Sequence, residues 1–404
     1  MSDKEVAFIH KTVKQLLEVS DPRSVSETAF RGAVYDAGLA WVSFPEHLGG
    51  LGLPASHQPT IDSLLAAAGA SELPREQFLG TALAGPTIAS HGSEDLQQRT
   101  LRRIYTGEDL WCQLFSEPAA GSDLAAVAAL AVRDGDEWVV SGQKVWNTMA
   151  HLSDKGMLVA RTNPDAPKHK GLTYFMVDMH ASGIEVRPLR QVTGEAEFNE
   201  VFLDEVRIPD ADRIGDVGEG WKVAMTTLMN ERTSVGGGGA SGIRQAGTGP
   251  IAEALRVWDD LPHEERRSEL RNRLSDLWIR AEALRLTDLR ASSGREGQEP
   301  GPESSISKLM LGQSNQAIYE FCVDALGANG QIDFDYTLRR AEGIGLEGPP
   351  GSGRQMFLRS RANSIEGGTS EIMKNIIGER VLGLPGEPRV DRDIPWREAN
   401  RLGS

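Results

Sequence analysis

Hydrophobic positions change their period twice along this chain. In the first 110 residues or so, Phe8, Ile9, Val13, Leu16 and Leu17 recur at helical spacing, and Ile61, Leu64, Leu65 and Ala68 do so again. Between them, Pro45 to Pro54 is dense in Gly and Pro and reads as a loop. From about residue 115 to 215 the runs become short and rich in Val, Trp, Tyr and Phe: Glu137 to Val140, Met157 to Ala160, Leu172 to Val177, Ile184 to Arg187 and Val201 to Val206. Such spacing, with no helical period in between, predicts a compact, barrel-like antiparallel β domain that ends near Ile208-Pro209 and the turn Gly215 to Gly218. After Gly220 the helical period returns, with Trp221, Met225, Leu228, Arg232 and Val235 on one stripe and Leu270, Leu274, Leu277 and Trp278 on another. Ala291 to Pro302 and Gly343 to Gly353 read as loops by composition.

The predicted fold class is α+β: a helical domain over 1–114, a β domain over 115–217, a helical bundle over 218–384, and a tail over 385–404 that is ordered only if it docks. No repeat-protein period is visible.

Composition narrows the function classes. The chain of 404 residues carries a formal charge of −15, from 43 Lys+Arg against 58 Asp+Glu, with no basic block, so nucleic acid is excluded as an expected partner. No run approaches the 18 or so apolar residues that span a bilayer, and the N-terminal residues lack the apolar core of a signal peptide. Cys112 and Cys322 stand far apart in no metal-like spacing, which suits a reducing compartment, and the expected location is cytoplasmic. Glycine, at 44 residues, is in excess of the usual share of about 7%.

Generic motifs add little. GxGxxG occurs at 237–242 and 343–348, but neither copy follows a predicted strand, as a dinucleotide fingerprint requires. The chain has no GxxxxGK[ST], HExxH or GxSxG, and no two histidines stand at helical ligand spacing, so no metal is expected.

Three segments carry more specific chemistry: Phe115 to Asp123 (FSEPAAGSD), Gly142 to Thr148 (GQKVWNT), and Ser364 to Ile372 (SIEGGTSEI) followed by Leu382 to Pro385. Weaker echoes are Pro45 to Gly52 and Asp324 to Gly330. Taken together and in this order, they resemble the acyl-CoA dehydrogenase family of flavoproteins across nearly the whole chain.

The resemblance implies bound FAD and α,β-dehydrogenation of an acyl-CoA thioester, a step of fatty-acid and lipid β-oxidation. Trp146 would pack along the flavin and Thr148 would bond near its N5 and O4 edge. Ser116, with the backbone of Gln113, Leu114 and Phe115, would face the pyrimidine side. Ser122, after the Gly121 turn, matches a position that touches a flavin phosphate or the CoA end. Read without the resemblance, Trp146 is a strand core residue and the Ser116 to Asp123 segment a turn.

The reaction needs a carboxylate base, because an α C–H beside a thioester is a weak acid. Many members carry that Glu immediately before Gly-Thr. Here Gly367 precedes Gly368-Thr369, and Glu366 stands one position too early. A subgroup, which includes isovaleryl- and long-chain-type enzymes, takes its base from the helix after the β domain, and this chain has Glu231 there, before Arg232. Glu231 is therefore the expected base and Glu366 its rival. The backbone N–H of Gly367 would polarise the thioester carbonyl, and Arg232 and Gly368 match substrate-contacting positions. The run Gly236 to Gly239 follows directly; it either widens the acyl pocket for a bulky or branched group or breaks the helix.

Other positions depart from the family pattern. An Arg-x-x-Phe-Gly stretch is missing between 244 and 290, and Asp324 and Ala328 replace the usual Gln and second Gly of the adenine-side loop, although Gly327 is kept. Thr369 and Glu371 match adenine-side positions. The resemblance further implies a homodimer, homotetramer or heteromer with a related subunit, and an electron-transfer flavoprotein as acceptor. The competing readings are a non-catalytic partner subunit, an acyl-CoA oxidase or flavin monooxygenase on the same fold, and a redox-silent acyl-CoA-binding protein.

Overall fold

The structure, a computed structural model, describes residues 3–233, 245–293, 304–332, 337–340, 352–388, 391 and 393–402. The N-terminal region is helical, with α1 (Asp3–Val19), α2 (Glu27–Asp36), α3 (Gln58–Ala67), α4 (Gly85–His91) and α5 (Glu94–Thr106). The predicted stripes form its core, where Ile9, Val13 and Leu16 of α1 pack with Phe30, Val34, Ile61 and Leu65. Ser26 and Ser93 cap α2 and α5 by accepting from the N–H of Ala29 and Leu96, which satisfies donors that a helix start leaves open.

The middle region is a sheet of β1 (Trp111–Leu114), β2 (Leu130–Asp134), β3 (Glu137–Lys144), β4 (Lys155–Arg161), β5 (Leu172–Asp178), β6 (Ile184–Pro188), β7 (Asn199–Pro209) and β8 (Arg213–Ile214). The strand order is β6-β7-β3-β2-β4-β5-β8. Most pairs are antiparallel, as the spacing predicts, but β1 and β2 both lie parallel to β4. Alternate residues of β4 serve two cores. Met157 and Val159 face the N-terminal helices, and Leu158 and Ala160 face Trp138, Val140 and Val206. Burial on both faces explains why Met157 to Ala160 is an unbroken apolar run and why Leu172 to Val177 is interrupted by a polar residue only at Thr173, whose hydroxyl pairs with that of Thr162.

The C-terminal region comprises α6 (Gly220–Thr233), α7 (Pro250–Asp260), α8 (Ser268–Ser293), α9 (Ser304–Ala325), α10 (Gly353–Arg359) and α11 (Ser370–Ile376), and the chain's last helix is α12 (Trp396–Leu402). The fully buried face of α6 is Val223, Ala224 and Thr227, so the predicted stripe of Trp221, Met225 and Leu228 lies to one side and is only half-buried. The shift has a polar cause: Thr227 shares hydrogen bonds with Thr87 of α4 at 2.9 Å and Tyr174 of β5 at 3.1 Å. Such a network fixes the helix rotation in a way that apolar periodicity does not register. The tail docks on the β domain, where Trp396 donates its indole N–H to the Ala126 carbonyl at 3.1 Å and the Arg161 guanidinium lies 4.3 Å over its ring. Among the described residues, no helix is long and apolar enough to cross a membrane.

A buried ion triad joins the β domain to the C-terminal region. Arg359, at the end of α10, bonds Glu197 at 2.8 Å and both oxygens of Glu366 at 3.0 and 2.9 Å. Arg359 and Glu197 side chains are only 4% and 2% exposed. Burial pushes the Glu197 carboxyl above the usual carboxylate range, against the pull of Arg359.

Two predictions follow from these charges. Replacing Arg359 by Met leaves Glu197 buried without its cation and lowers unfolding stability by about 3–5 kcal/mol. Because the folded-state value of Glu197 is raised, that deficit is smallest at acid pH and grows as pH rises through the raised value, which urea unfolding across pH reads directly. Asp210 has the opposite sign. Hydrogen bonds from Arg213 (2.9 Å) and the Trp138 indole (2.8 Å) lower its carboxyl to about 2. Asp210→Asn therefore costs about 1–2 kcal/mol at neutral pH, and the gap closes as pH falls from about 4 towards 2.

Candidate active site

Two loops of the β domain meet at a buried lysine. Lys144, at the end of β3, donates to the carbonyls of Phe115 (3.0 Å) and Val159 (2.8 Å) and to the carboxylate of Glu117 (2.7 Å). Three acceptors use all three ammonium N–H groups, which offsets a burial that pulls the Lys144 pKa down while Glu117 opposes the pull. Glu117 also accepts from the N–H groups of Ala128 at 2.6 Å and Ala129 at 2.9 Å. The lysine thus holds Phe115 to Glu117 against the end of β3. Next to it, Val145 N–H bonds the Ser116 carbonyl at 2.9 Å and the Asn147 amide bonds the Gln113 carbonyl at 2.8 Å. The two segments expected to contact a flavin, Gln113 to Ser116 and Trp146 to Thr148, therefore lie side by side. Leu114 and Phe115 turn their side chains into the cores, and Ser116 is half-buried beside them.

Trp146 is not a strand core residue. It stands just beyond β3 at φ 63° and is 60% exposed, with its ring edge-on to Phe198 at 5.9 Å. A bulky residue in the left-handed region costs about 1–2 kcal/mol, and paired backbone bonds between Asn147 and Asn199, at 3.0 and 3.1 Å, hold the conformation. An isoalloxazine ring requires an apolar wall with polar groups at its edge. Trp146 offers the wall. The half-buried residues Ser116 and Thr148 have hydroxyls that engage no protein partner among the described residues, and Asn147 Oδ1 is buried without one. These unsatisfied groups beside an exposed indole fit a flavin. Gly121 and Ser122 lie exposed in the following loop, which Lys168 pins through Asp123 at 2.8 Å.

The two carboxylates considered as base stand differently at the Gly-Gly-Thr turn. Glu231 stands seven residues after Ala224 and four after Thr227, and so continues the buried face of α6. Its Oε1 is 3.5 Å from the point where a Cβ on Gly367 would sit. Gly367 and Gly368 have φ values of 61° and 95°, which favour glycine. Glu366 is instead drawn back into the ion triad, and one of its oxygens takes a further bond from Asn363 at 2.7 Å.

The remaining expected positions are dispersed. Thr369 caps α11 by accepting from Ile372 N–H at 3.2 Å, and Glu371 is exposed in the first turn of that helix. Asp324 pairs with Arg273 at 2.8 Å, and Gly327 is exposed at φ 55°. Both lie at the far end of α9, about 24 Å along the helix from Lys308, so one chain does not bring them to Thr369. Gly236 lies outside the described residues, as do both GxGxxG copies and the side chain of Arg232. Sequence reasoning missed Arg359, Phe198 and Lys308. Lys308 had a signal, since Lys308, Gly312, Asn315 and Gln316 form a polar and small face at helical spacing.

Comparison with known proteins agrees with this architecture. Residues 3–108, 112–206 and 218–382 match, in order, the family descriptions "Acyl-CoA dehydrogenase, N-terminal domain", "middle domain" and "C-terminal domain". The chain is 40% identical over 368 residues to acyl-CoA dehydrogenase FadE34 of Mycobacterium tuberculosis, covering 91% of this chain but only 48% of FadE34. It therefore spans about half the length of that relative. It is 38% identical to acyl-CoA dehydrogenase IpdE1 of the same organism, covering 87% of this chain and 86% of IpdE1. Among solved structures, the Tcur3481-Tcur3483 steroid ACAD superposes with a TM-score of 0.69 at 24% identity, over 96% of this chain and 99% of that one. The chain belongs to the acyl-CoA dehydrogenase family of FAD-dependent oxidoreductases.

Proposed function

We propose that this protein removes an α and a β hydrogen from an acyl-CoA thioester to give the 2-enoyl-CoA, with Glu231 as the α-proton base. The observation that carries the reading is the position of Glu231 Oε1, 3.5 Å from the Cβ site of Gly367. A carboxylate on α6 thereby stands within van der Waals reach of the residue before Gly368-Thr369.

When bound, FAD supplies the two-electron acceptor for the β hydrogen, which leaves as hydride. The protein's own residues do the rest. Glu231 takes the α proton. The Gly367 N–H donates to the thioester oxygen, where negative charge develops as that proton leaves. Trp146 backs the flavin, Ser116, Thr148 and the backbone of Gln113 to Phe115 hold its edge, and Ser122 with Gly121 meets a phosphate. Thr369, Glu371, Asp324 and Gly327 serve the adenine side, and the distance between the two pairs supports an FAD site completed by a second subunit. Arg232 and Gly368 contact the substrate.

A bulky acyl group is the substrate class we favour, because a structure of the same fold is named a steroid ACAD. A heteromer is in keeping with the paired name Tcur3481-Tcur3483 and with FadE34 having about twice the length of the matched region. An electron-transfer flavoprotein is the proposed electron acceptor.

The test is spectroscopic. The purified chain should carry a flavin absorbance that an acyl-CoA bleaches in the absence of oxygen, and Glu231→Gln should slow that bleaching by about a thousandfold while keeping the flavin. Glu366→Gln should lower stability more than rate, since its carboxylate is held by Arg359 and Asn363. Bleaching at the wild-type rate by Glu231→Gln would remove Glu231 from the role.

A further inference from the structure

One buried cation beside this site has no part in the chemistry so far. Lys308, in the first turns of α9, is 4% exposed, and its ammonium donates to the carbonyls of Asn363 at 3.0 Å and Gly368 at 2.5 Å. Its Cε is 3.7 Å from the Cβ point of Gly367, the same point from which Glu231 Oε1 is 3.5 Å away. The lysine and the carboxylate therefore converge on one glycine from two helices.

The rest of that helix face serves the same turn. A Cβ on Gly312 would stand 2.8 Å from the Asn363 carbonyl, so the chain approaches α9 there as closely as glycine permits. Asn315 bonds the Asn363 side chain at 3.2 Å, and Gln316 bonds the Ser360 carbonyl and the Ser364 hydroxyl, each at 3.1 Å. Positions 308, 312, 315 and 316 share one face, and together they hold the segment from Ser360 to Gly368. Lys308 is the charged member of that face. Burial lowers its pKa from the ordinary lysine value, and the carboxylates of Glu366 on the turn, Glu231 on α6 and Glu371 on α11 oppose that shift. Two of its three N–H groups are used by the turn carbonyls.

We propose that Lys308 is a positioning residue, whose ammonium fixes the Gly367-Gly368 turn and places a positive charge on the side of that turn that Glu231 approaches. This rests on the reading of Glu231 as the base. A neutral side chain of similar length would leave the carbonyls of Asn363 and Gly368 without that donor and would remove one positive charge from the neighbourhood of the carboxylate. A base displaced on the 1 Å scale loses about a hundredfold in rate.

The experiment uses flavin-loaded enzyme and anaerobic bleaching at saturating acyl-CoA, followed between about pH 5.5 and 9. Lys308→Met should keep the flavin spectrum and bleach about ten- to a hundredfold more slowly. Its acid limb should move to higher pH by about one unit, because losing a nearby cation favours the neutral carboxyl. Lys308→Arg, which keeps the charge, should return the limb to its wild-type position. A Lys308→Met enzyme with wild-type rate and an unmoved limb overturns the proposal. If that variant does not hold flavin, Lys308→Gln decides, since it keeps an amide donor for the turn but no charge: a displaced limb supports the role and a wild-type limb refutes it. Glu231→Gln, run in parallel, separates the two ideas. Wild-type bleaching there removes the base itself, whereas slow bleaching there with unaffected Lys308 variants removes only the lysine.

Discussion

The site depends on a guanidinium buried between two carboxylates. Arg359 has Glu197 of the β domain on one side and Glu366 of the glycine turn on the other, and its guanidinium carbon lies 5.5 Å from the Phe198 ring that meets Trp146. One cation thus ties the wall offered to a flavin to the turn offered to a thioester. A buried ion pair is weak support for stability in itself, because desolvation offsets much of the attraction. Its value here is geometric. With both carboxylates committed, the β domain and the C-terminal segment are held together at one point, and Glu366 is bound on both of its oxygens.

Around that joint, charge is neutralised pair by pair inside the protein. Lys144 with Glu117 sets the loop under the expected flavin edge, and Lys308 holds the turn that Glu231 approaches. Each lysine donates to at least two backbone carbonyls as well as facing a carboxylate. That combination pins irregular backbone more firmly than apolar contacts do, because it is directional and fails if a donor shifts by a fraction of an ångström. Placement of loops at this precision is what general acid–base chemistry on a weak carbon acid demands.

Much of this was legible in the sequence, and the reasons for the rest are physical. Periodicity places β3, β4, β5, β6 and β7, closely for β5 and β6 but covering only the first or middle part of β3, β4 and β7, whose ends are largely polar and carry no pattern. The parallel pairing of β1 with β4 leaves none, because strand order is a matter of long-range contact. The stripe on α6 was rotated from the observed face, as the hydroxyls of Thr87, Tyr174 and Thr227 rather than apolar residues set its orientation. Motif likeness brought out Trp146, Ser116 and Glu231. It could not show that Trp146 is exposed in a left-handed conformation, which depends on backbone geometry and on Asn199 about 50 residues further on, nor that Glu366 is bound to Arg359, which depends on how the short segment between them folds. Lys308 escaped because a lone lysine on a long helix reads as solvent-facing unless the glycine and amides at its helical spacing are read with it.

The empty side-chain position at Gly367 bears on what this stretch of backbone can bring together. An L side chain there would be strained at φ 61°, and its Cβ would already touch both the Glu231 carboxylate and the Lys308 methylene chain, at 3.5 and 3.7 Å. Glycine is therefore what lets an acidic group from α6 and a basic one from α9 approach the same peptide. A residue with no side-chain atoms of its own thereby keeps two opposite charges within reach of one stretch of backbone.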